Sequence, residues 1–399
     1  MVDEFTQLRL AEIVATVIDN RGKTPPWGEN EPIELIETAS IVGDNKYPDY
    51  SLVQKRVSNE TYNNWFRGHP RAKDILIATV GANIGNLSIM RESRGCVAQN
   101  LVGLRIDENQ ADPDYVYYFL TWEPTKIRLK NLDIGAAQPS IKVPHLLNIE
   151  ILLPSLPEQR AIAGILEALD DKIELNRRIN RTLESMARAV FRKMMNDEDG
   201  KETTIGEVVT IVGGSTPSTK NPAFWNGGDI HWVTPKDLSG LQDAILLDSN
   251  SRITELGLQK ISSGLLPVGT VLLSSRAPIG YLAITQIPTA INQGFIAIKC
   301  TEEVPNYFIL NWLNDNMEEI KGRANGTTFL EISKSNFRPM PIFIPSPKKM
   351  QEFVNIVEPM YQKIVANLKE SRTLASLRDS LLSKLMRGEV RVKDVESKG

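Results

Sequence analysis

Two stretches of the chain carry apolar residues at helical spacing over unusual lengths. After Ser155, the positions Ile162, Leu166, Leu169, Ile173, Leu183, Ala187, Val190 and Met194 fall at alternating steps of four and three, with Asn176 and Asn180 on the two remaining rungs. After Ser346 the device recurs through Met350, Val354, Val357, Tyr361, Ile364 and Leu368, then shifts phase toward Leu374, Leu377, Leu381 and Leu385. A 4-3 seam predicts a coiled-coil helix, and asparagine within it fixes register at some cost in stability. Ser155-Leu-Pro-Glu158 has the capping-box pattern, with Ser155 accepting from a free backbone N–H and Glu158 reaching back. Ser346-Pro347 supplies a cap and first turn for the second helix, and Gly388 a stop. Helices of about 40 residues span roughly 60 Å, well beyond the roughly 30 Å of a compact domain of this size.

Elsewhere the pattern changes to short β-branched runs broken by Gly, Pro and Asn. Strands are predicted over 75–80, 102–106, 271–275 and 295–299, and helices over 113–122 and 305–316, where aromatic and apolar residues recur at three and four. The runs repeat. LAEIVATVIDNRGKTPP from Leu10 corresponds to IGEVVTIVGGSTPS from Ile205, each reading as a short helical stretch followed by a turn. DILIATVGANIGNLSI from Asp74 corresponds to GTVLLSSRAPIGYLAI from Gly269, and IEILLPSLPEQ to MPIFIPSPKKMQ. Several matches in one order at nearly one offset establish a duplication. The predicted fold is α+β: globular domains at 1–154 and 197–345, each followed by a long helix at 155–196 and 346–388, and a tail at 389–399. Two such helices have each other as obvious partners, and duplication makes their pairing an antiparallel coiled coil with the domains at opposite ends.

Composition narrows the function without naming it. The 399 residues carry a net charge of −3, so nothing global announces a polyanion partner. Only the helical segments lean positive, with 8 basic against 6 acidic residues in 157–196 and 11 against 7 in 347–399. No apolar run reaches the roughly 18 residues of a bilayer span, and the first residues show no basic and apolar leader, so a cytoplasmic protein is expected. Two cysteines exclude a disulfide framework, and His69, His145 and His231 have no ligand spacing, so no metal is expected.

No catalytic constellation emerges. Asn221-Pro-Ala-Phe224 is similar to the base-holding loop of adenine methyltransferases, but the second Pro and a Gly-rich S-adenosylmethionine loop are missing. Polar turn residues, in contrast, recur at corresponding places in both halves. In the first they are Arg21, Lys23, Asn83, Gln99, Asn100, Gln138 and Ser140. In the second they are Thr216, Lys236, Arg276, Asn292, Gln293, Asn325 and Thr327. These are the side-chain types that read base edges and phosphates. Their identities differ between the halves while the framework persists, as two readers of two sequences require.

The stretches STPSTKNPAFWNGGDIHWVTPKDL, GTVLLSSRAPIGYLAI, LPSLPEQRAIAGILEALDDKIELNRRIN and LLSKLMRGEV resemble the DNA-specificity subunit of type I restriction-modification systems. The resemblance covers nearly the whole chain, in the order recognition domain, helix, recognition domain, helix. It departs at the second helix start, where Pro347-Lys-Lys-Met-Gln351 replaces Pro157-Glu-Gln-Arg160. It implies a non-catalytic, DNA-binding adaptor whose two target-recognition domains read a bipartite asymmetric target. The helix pair would be a spacer packed through Ile162, Leu166, Leu169, Ile173, Asn176, Asn180, Val354, Val357, Ile364 and Leu368. It also implies two adenine-N6 methyltransferase subunits as partners, with motor-nuclease subunits joining them. S-adenosylmethionine, ATP and magnesium would be held by those partners and not by this chain. Two other readings are a stand-alone adenine methyltransferase and a coiled-coil scaffold with two β-rich arms for protein or RNA.

Overall fold

The computed structural model describes residues 5–22, 24–43, 45–132, 140–196, 199–276, 278–326 and 330–392. The chain forms two compact units, residues 1–175 with 370–399, and residues 176–369. Each unit therefore holds one globular domain and part of both long helices, Leu156–Met195 and Pro347–Met386.

In the first unit, a single helical turn at Leu10–Ile13 gives way to the strand Val14–Asp19. The helix-like stretch expected here is thus mostly strand, because β-branched Val14, Thr16, Val17 and Ile18 favour extended backbone. That strand opens an antiparallel sheet in the order Val14–Asp19, Leu101–Ile106, Ile75–Ala78, Leu87–Ile89. A second sheet places Ile33–Ile36 between Arg56–Val57 and Cys96–Val97, and Thr6–Arg9 pairs with Glu150–Leu153. The helix Pro113–Thr121 is capped by Asp112, which accepts from the Tyr115 N–H, and it buries Tyr115, Tyr118 and Phe119. Their cluster also contains Ile162 and Leu166 of the first long helix and Leu382, Leu385 and Met386 of the second. The helices run antiparallel here: Glu158 lies against Arg391, and Asp170 against Arg378.

Both carboxylate oxygens of Glu158, in the first turn of the first long helix, accept from Arg391 at 2.8 and 2.9 Å and tie that turn to the returning C-terminal segment. The expected seam of the second helix needs correction. Leu377, placed in the seam by apolarity, is 47% exposed. The inward position goes to Arg378, whose guanidinium donates to buried Asp170 at 2.6 Å, while the Tyr118 hydroxyl donates to the other oxygen at 2.8 Å. An ion pair needs both partners turned inward, and that rotation puts Leu377 outside.

The second unit repeats the plan. One turn at Ile205–Val208 leads into Thr210–Gly213, the edge of a five-stranded sheet ordered Thr210–Gly213, Phe295–Lys299, Val271–Ser275, Ile279–Thr285, Ile245–Leu246. Ile230–Val233 lies between Ser251–Ile253 and Thr289–Ile291 in a smaller sheet. Phe191 of the first long helix packs among Phe308 and Phe353, and Val357, Tyr361 and Ile364 of the second helix complete the core. Asn176 and Asn180 are buried as the seam required. Their partner is Asn367: its amide donates to Asn180 Oδ1 at 2.8 Å, and its backbone carbonyl accepts from Asn176 at 3.4 Å. Asn180 in turn donates to Asp243 of the globular part at 3.3 Å.

Candidate nucleic-acid interface

The turns that carry the candidate readers follow directly from the strands. In the first unit, Val14–Asp19 ends at the loop Asn20-Arg21-Gly22, where Gly22 adopts φ +125°, a conformation that favours glycine. Buried Asn20 clamps this loop. Its amide donates to the Gly68 carbonyl at 3.0 Å, and its oxygen accepts from the Arg67 N–H at 2.9 Å. Neighbouring turns after Ile75–Ala78 and before Leu101–Ile106 bring Val80, Gln99 and Asn100 alongside, and Ser140 forms an antiparallel bridge with Val80. An open depression of about 690 Å³ results, lined by Asp19, Arg21, Gly22, Val80, Gln99, Asn100 and Ser140. Four sequence-derived candidates thus converge. Asn83 faces a different task, since its amide donates to the Thr38 carbonyl at 3.1 Å and braces the loop. Lys23, Gln138 and Thr327 lie outside the described residues.

Arg21 is firmly held. Its Nε and Nη2 donate to the two oxygens of Asp19 at 2.8 and 2.7 Å, and Nη1 donates to the Ile141 carbonyl at 3.2 Å. These hydrogen bonds from Arg21 keep the Asp19 carboxyl below its ordinary range. Arg67 adds a hydrogen bond to the Asp19 backbone carbonyl at 3.3 Å.

The corresponding edge of the second unit is built from different side chains. Thr216 donates to Gln293 Oε1 at 2.6 Å, matching a longer contact in the first unit, where Gln99 donates to Thr24 at 3.4 Å. Asn292 accepts from the Gly294 N–H at 2.9 Å and so shapes the turn. Lys236 sits exposed on the short helix Pro235–Leu238, next to Pro235, whose ring lies over Gly294. Arg276 forms an antiparallel bridge with Glu331, and their side chains approach to 3.6 Å. Asn325 is bridged to Glu331 through its backbone. The pattern of polar turns does not pick out Asp19, Arg67 or Glu331. The ladder could have flagged two of them: Asp19 ends a strand two residues before Arg21, and Glu331 lies six residues after Asn325, with which it pairs.

A second cavity, of about 230 Å³, lies in the second unit between Glu184, Arg188, Gln242, Asp243, Tyr281, Asn311 and Tyr361. Burial and nearby Asp243 push the Glu184 carboxyl up to about 7, and burial raises Asp243. Asn221 caps a single turn by accepting from the Ala223 N–H, and Phe224 accepts from Thr254, so the Asn-Pro-Ala-Phe stretch is a stapled turn. Among the described residues there is no cluster of metal-ligating side chains, and no helix is long and apolar enough to cross a membrane.

Comparison with known proteins covers most of the chain. Residues 43–185 and 197–373 match the type I restriction modification DNA specificity domain. The type I restriction enzyme MjaIX specificity subunit of Methanocaldococcus jannaschii is 35% identical over 184 residues, 46% of this chain and 42% of that protein. The match therefore spans less than half of that relative. A second protein of the same organism, the putative MjaX specificity subunit, is 25% identical across 74% of this chain and 72% of its own length. The crystal structure of a type I restriction-modification S subunit from M. genitalium shares the fold, with a TM-score of 0.57, 18% identity and 96% of each chain covered.

Proposed function

The chain belongs to the type I restriction modification DNA specificity family, and from that premise we propose that its two domains read the two halves of one split, asymmetric DNA target. The observation that carries this reading is the duplicated sheet edge. The corresponding sheet edges present Arg21, Gln99, Asn100 and Ser140 in one unit, and Thr216, Arg276, Gln293 and Asn325 in the other, with Gln99 and Gln293 at matching places. Equivalent scaffolds with unlike donors and acceptors are suited to unlike base sequences. Phosphate contacts from exposed Lys and Arg set the register of the duplex, and loop tips in the major groove supply discrimination. The long helices serve as a spacer that fixes the unspecified gap. Two adenine-N6 methyltransferase subunits dock on the chain and carry S-adenosylmethionine, and motor-nuclease subunits using ATP and magnesium join through them.

Selection of duplexes from a randomised pool by the chain with its methyltransferase partner tests the reading. A bipartite motif should emerge, with affinity that falls steeply as salt rises. Arg276→Ala should relax one base of the second half-site, by roughly 1–3 kcal/mol of discrimination. Recovery of duplexes without a common motif, or tighter capture of RNA, would support a scaffold instead.

A further inference from the structure

Arginine on a DNA-facing surface has two uses, neutralising phosphate or donating to guanine, and the surroundings of Arg21 separate them. The side-on edge of its guanidinium, Nε with Nη2, is occupied by both oxygens of Asp19. A carboxylate at this distance cancels the charge that would attract a phosphate and repels the phosphate itself. Guanine O6 and N7 carry partial negative charge without net charge, and they accept from two parallel N–H groups. Nη2 keeps one N–H beside the one given to Asp19, and Nη1 keeps one beside the one given to the Ile141 carbonyl, so the end-on edge of Arg21 can still offer two donors once the other edge is tied down. The rest of the depression is neutral in the same sense, lined by the amides of Gln99 and Asn100 and the hydroxyl of Ser140.

Rigidity supports the same use. Arg21 is gripped by Asp19 and by the Ile141 carbonyl, the loop beneath it is clamped by buried Asn20, and Arg67 holds the Asp19 backbone. A fork fixed before binding loses little side-chain entropy on meeting its base. Among the described residues of the second unit, the corresponding strand end carries no such pair. Gly213 ends the strand that corresponds to Val14–Asp19, and the amine of Lys334 lies 3.1 Å from where its Cβ would be. Arg276 of the second unit stands 3.6 Å from Glu331 in a looser pairing.

We propose that Asp19 is a specificity-positioning residue that holds Arg21 as an end-on fork for one guanine in the first half-site. The inference rests on the DNA-reading function proposed above. The test measures binding of the chain–methyltransferase complex to its selected duplex and to every single-base variant, for the parent, Arg21→Ala, Asp19→Ala, Asp19→Asn and Glu331→Ala. Arg21→Ala should abolish preference for one G·C pair of the first half-site, about a 10- to 100-fold loss of discrimination. Asp19→Ala should weaken preference at that same pair, and the isosteric Asp19→Asn, which can still accept one N–H, should retain part of it. The second half-site should be read as before in all Arg21 and Asp19 variants, and Glu331→Ala should not alter the first. The proposal is overturned if Asp19→Asn and Asp19→Ala leave every base preference intact, or lower affinity equally for all duplexes. Failure of the parent complex to prefer any duplex would overturn the underlying function as well, and is read from the parent alone.

Discussion

Glu184 shows how one residue's surroundings become a property of the unit. Its carboxyl is pushed up to about 7 from the ordinary 4.5 by burial and by Asp243, while the Ala244 N–H donates to it at 3.2 Å. Between those two values the folded chain holds a proton that the unfolded chain has released. Stability therefore falls as pH rises through that window, and the cost is fully present above it. Glu184→Gln keeps the acceptor for Ala244 and removes the charge. It should be more stable than the parent at pH 8 and show a flatter pH dependence of its denaturation midpoint between pH 5 and 8; parallel curves would contradict this. Asp170 makes the opposite case, a charge that is paired. Removing its partner with Arg378→Ala should cost about 3 kcal/mol, measured by denaturant unfolding, because Asp170 stays buried with, among the described residues, the Tyr118 hydroxyl as its remaining hydrogen-bond partner. At this scale the sequence shows which side-chain types stand at turns, enough to gather Arg21, Gln99, Asn100 and Ser140. It conceals partnerships such as Arg276 with Glu331 or Asp170 with Arg378, which depend on residues far apart in the chain.

Among elements, the long helices were the most legible and also the site of the clearest error. The seam through Ile162, Leu166 and Ile173 is buried as its spacing demands. Beyond Ile364 the inward line passes through Asn367, Leu374, Arg378, Leu382 and Leu385, with polar side chains at two of its places, so a reading by apolarity drifted to Leu377. The buried asparagines are not interchangeable with leucine. Asn180→Leu would suit a seam by itself, but here it removes the hydrogen bonds that Asn180 makes to the Asp243 carboxylate and the Asn367 amide. A destabilisation of about 2 kcal/mol is expected, and a rise in the unfolding temperature would show that the polar layer is dispensable. The sheet strands were found nearly in register because β-branched runs between turn residues leave few alternatives. The opening segments of both domains read as helix in the sequence because a single helical turn and the strand after it share one apolar run.

For the whole chain, the duplication and the order of domain and helix are written in the sequence, whereas the compact units are not. A domain followed by its own helix is the natural linear division, yet Leu382, Leu385 and Met386 lie in the core of the first unit, far along the chain from the end of that domain at residue 154. Only the closed fold reveals this, since nothing local marks those leucines as belonging to one core or another. If the helices set the gap between half-sites, one heptad inserted into both should lengthen the gap by about 3 base pairs, from roughly 1.5 Å per helical residue and 3.4 Å per base pair. An unchanged gap would remove the spacer from the account. The most direct test of the central claim is long-read methylation sequencing of host DNA with this chain present and with it deleted. A split asymmetric motif bearing N6-methyladenine on both strands, lost on deletion, is the predicted result. Identical methylation with and without the chain, while it is expressed together with its methyltransferase partner, would contradict a DNA-reading role.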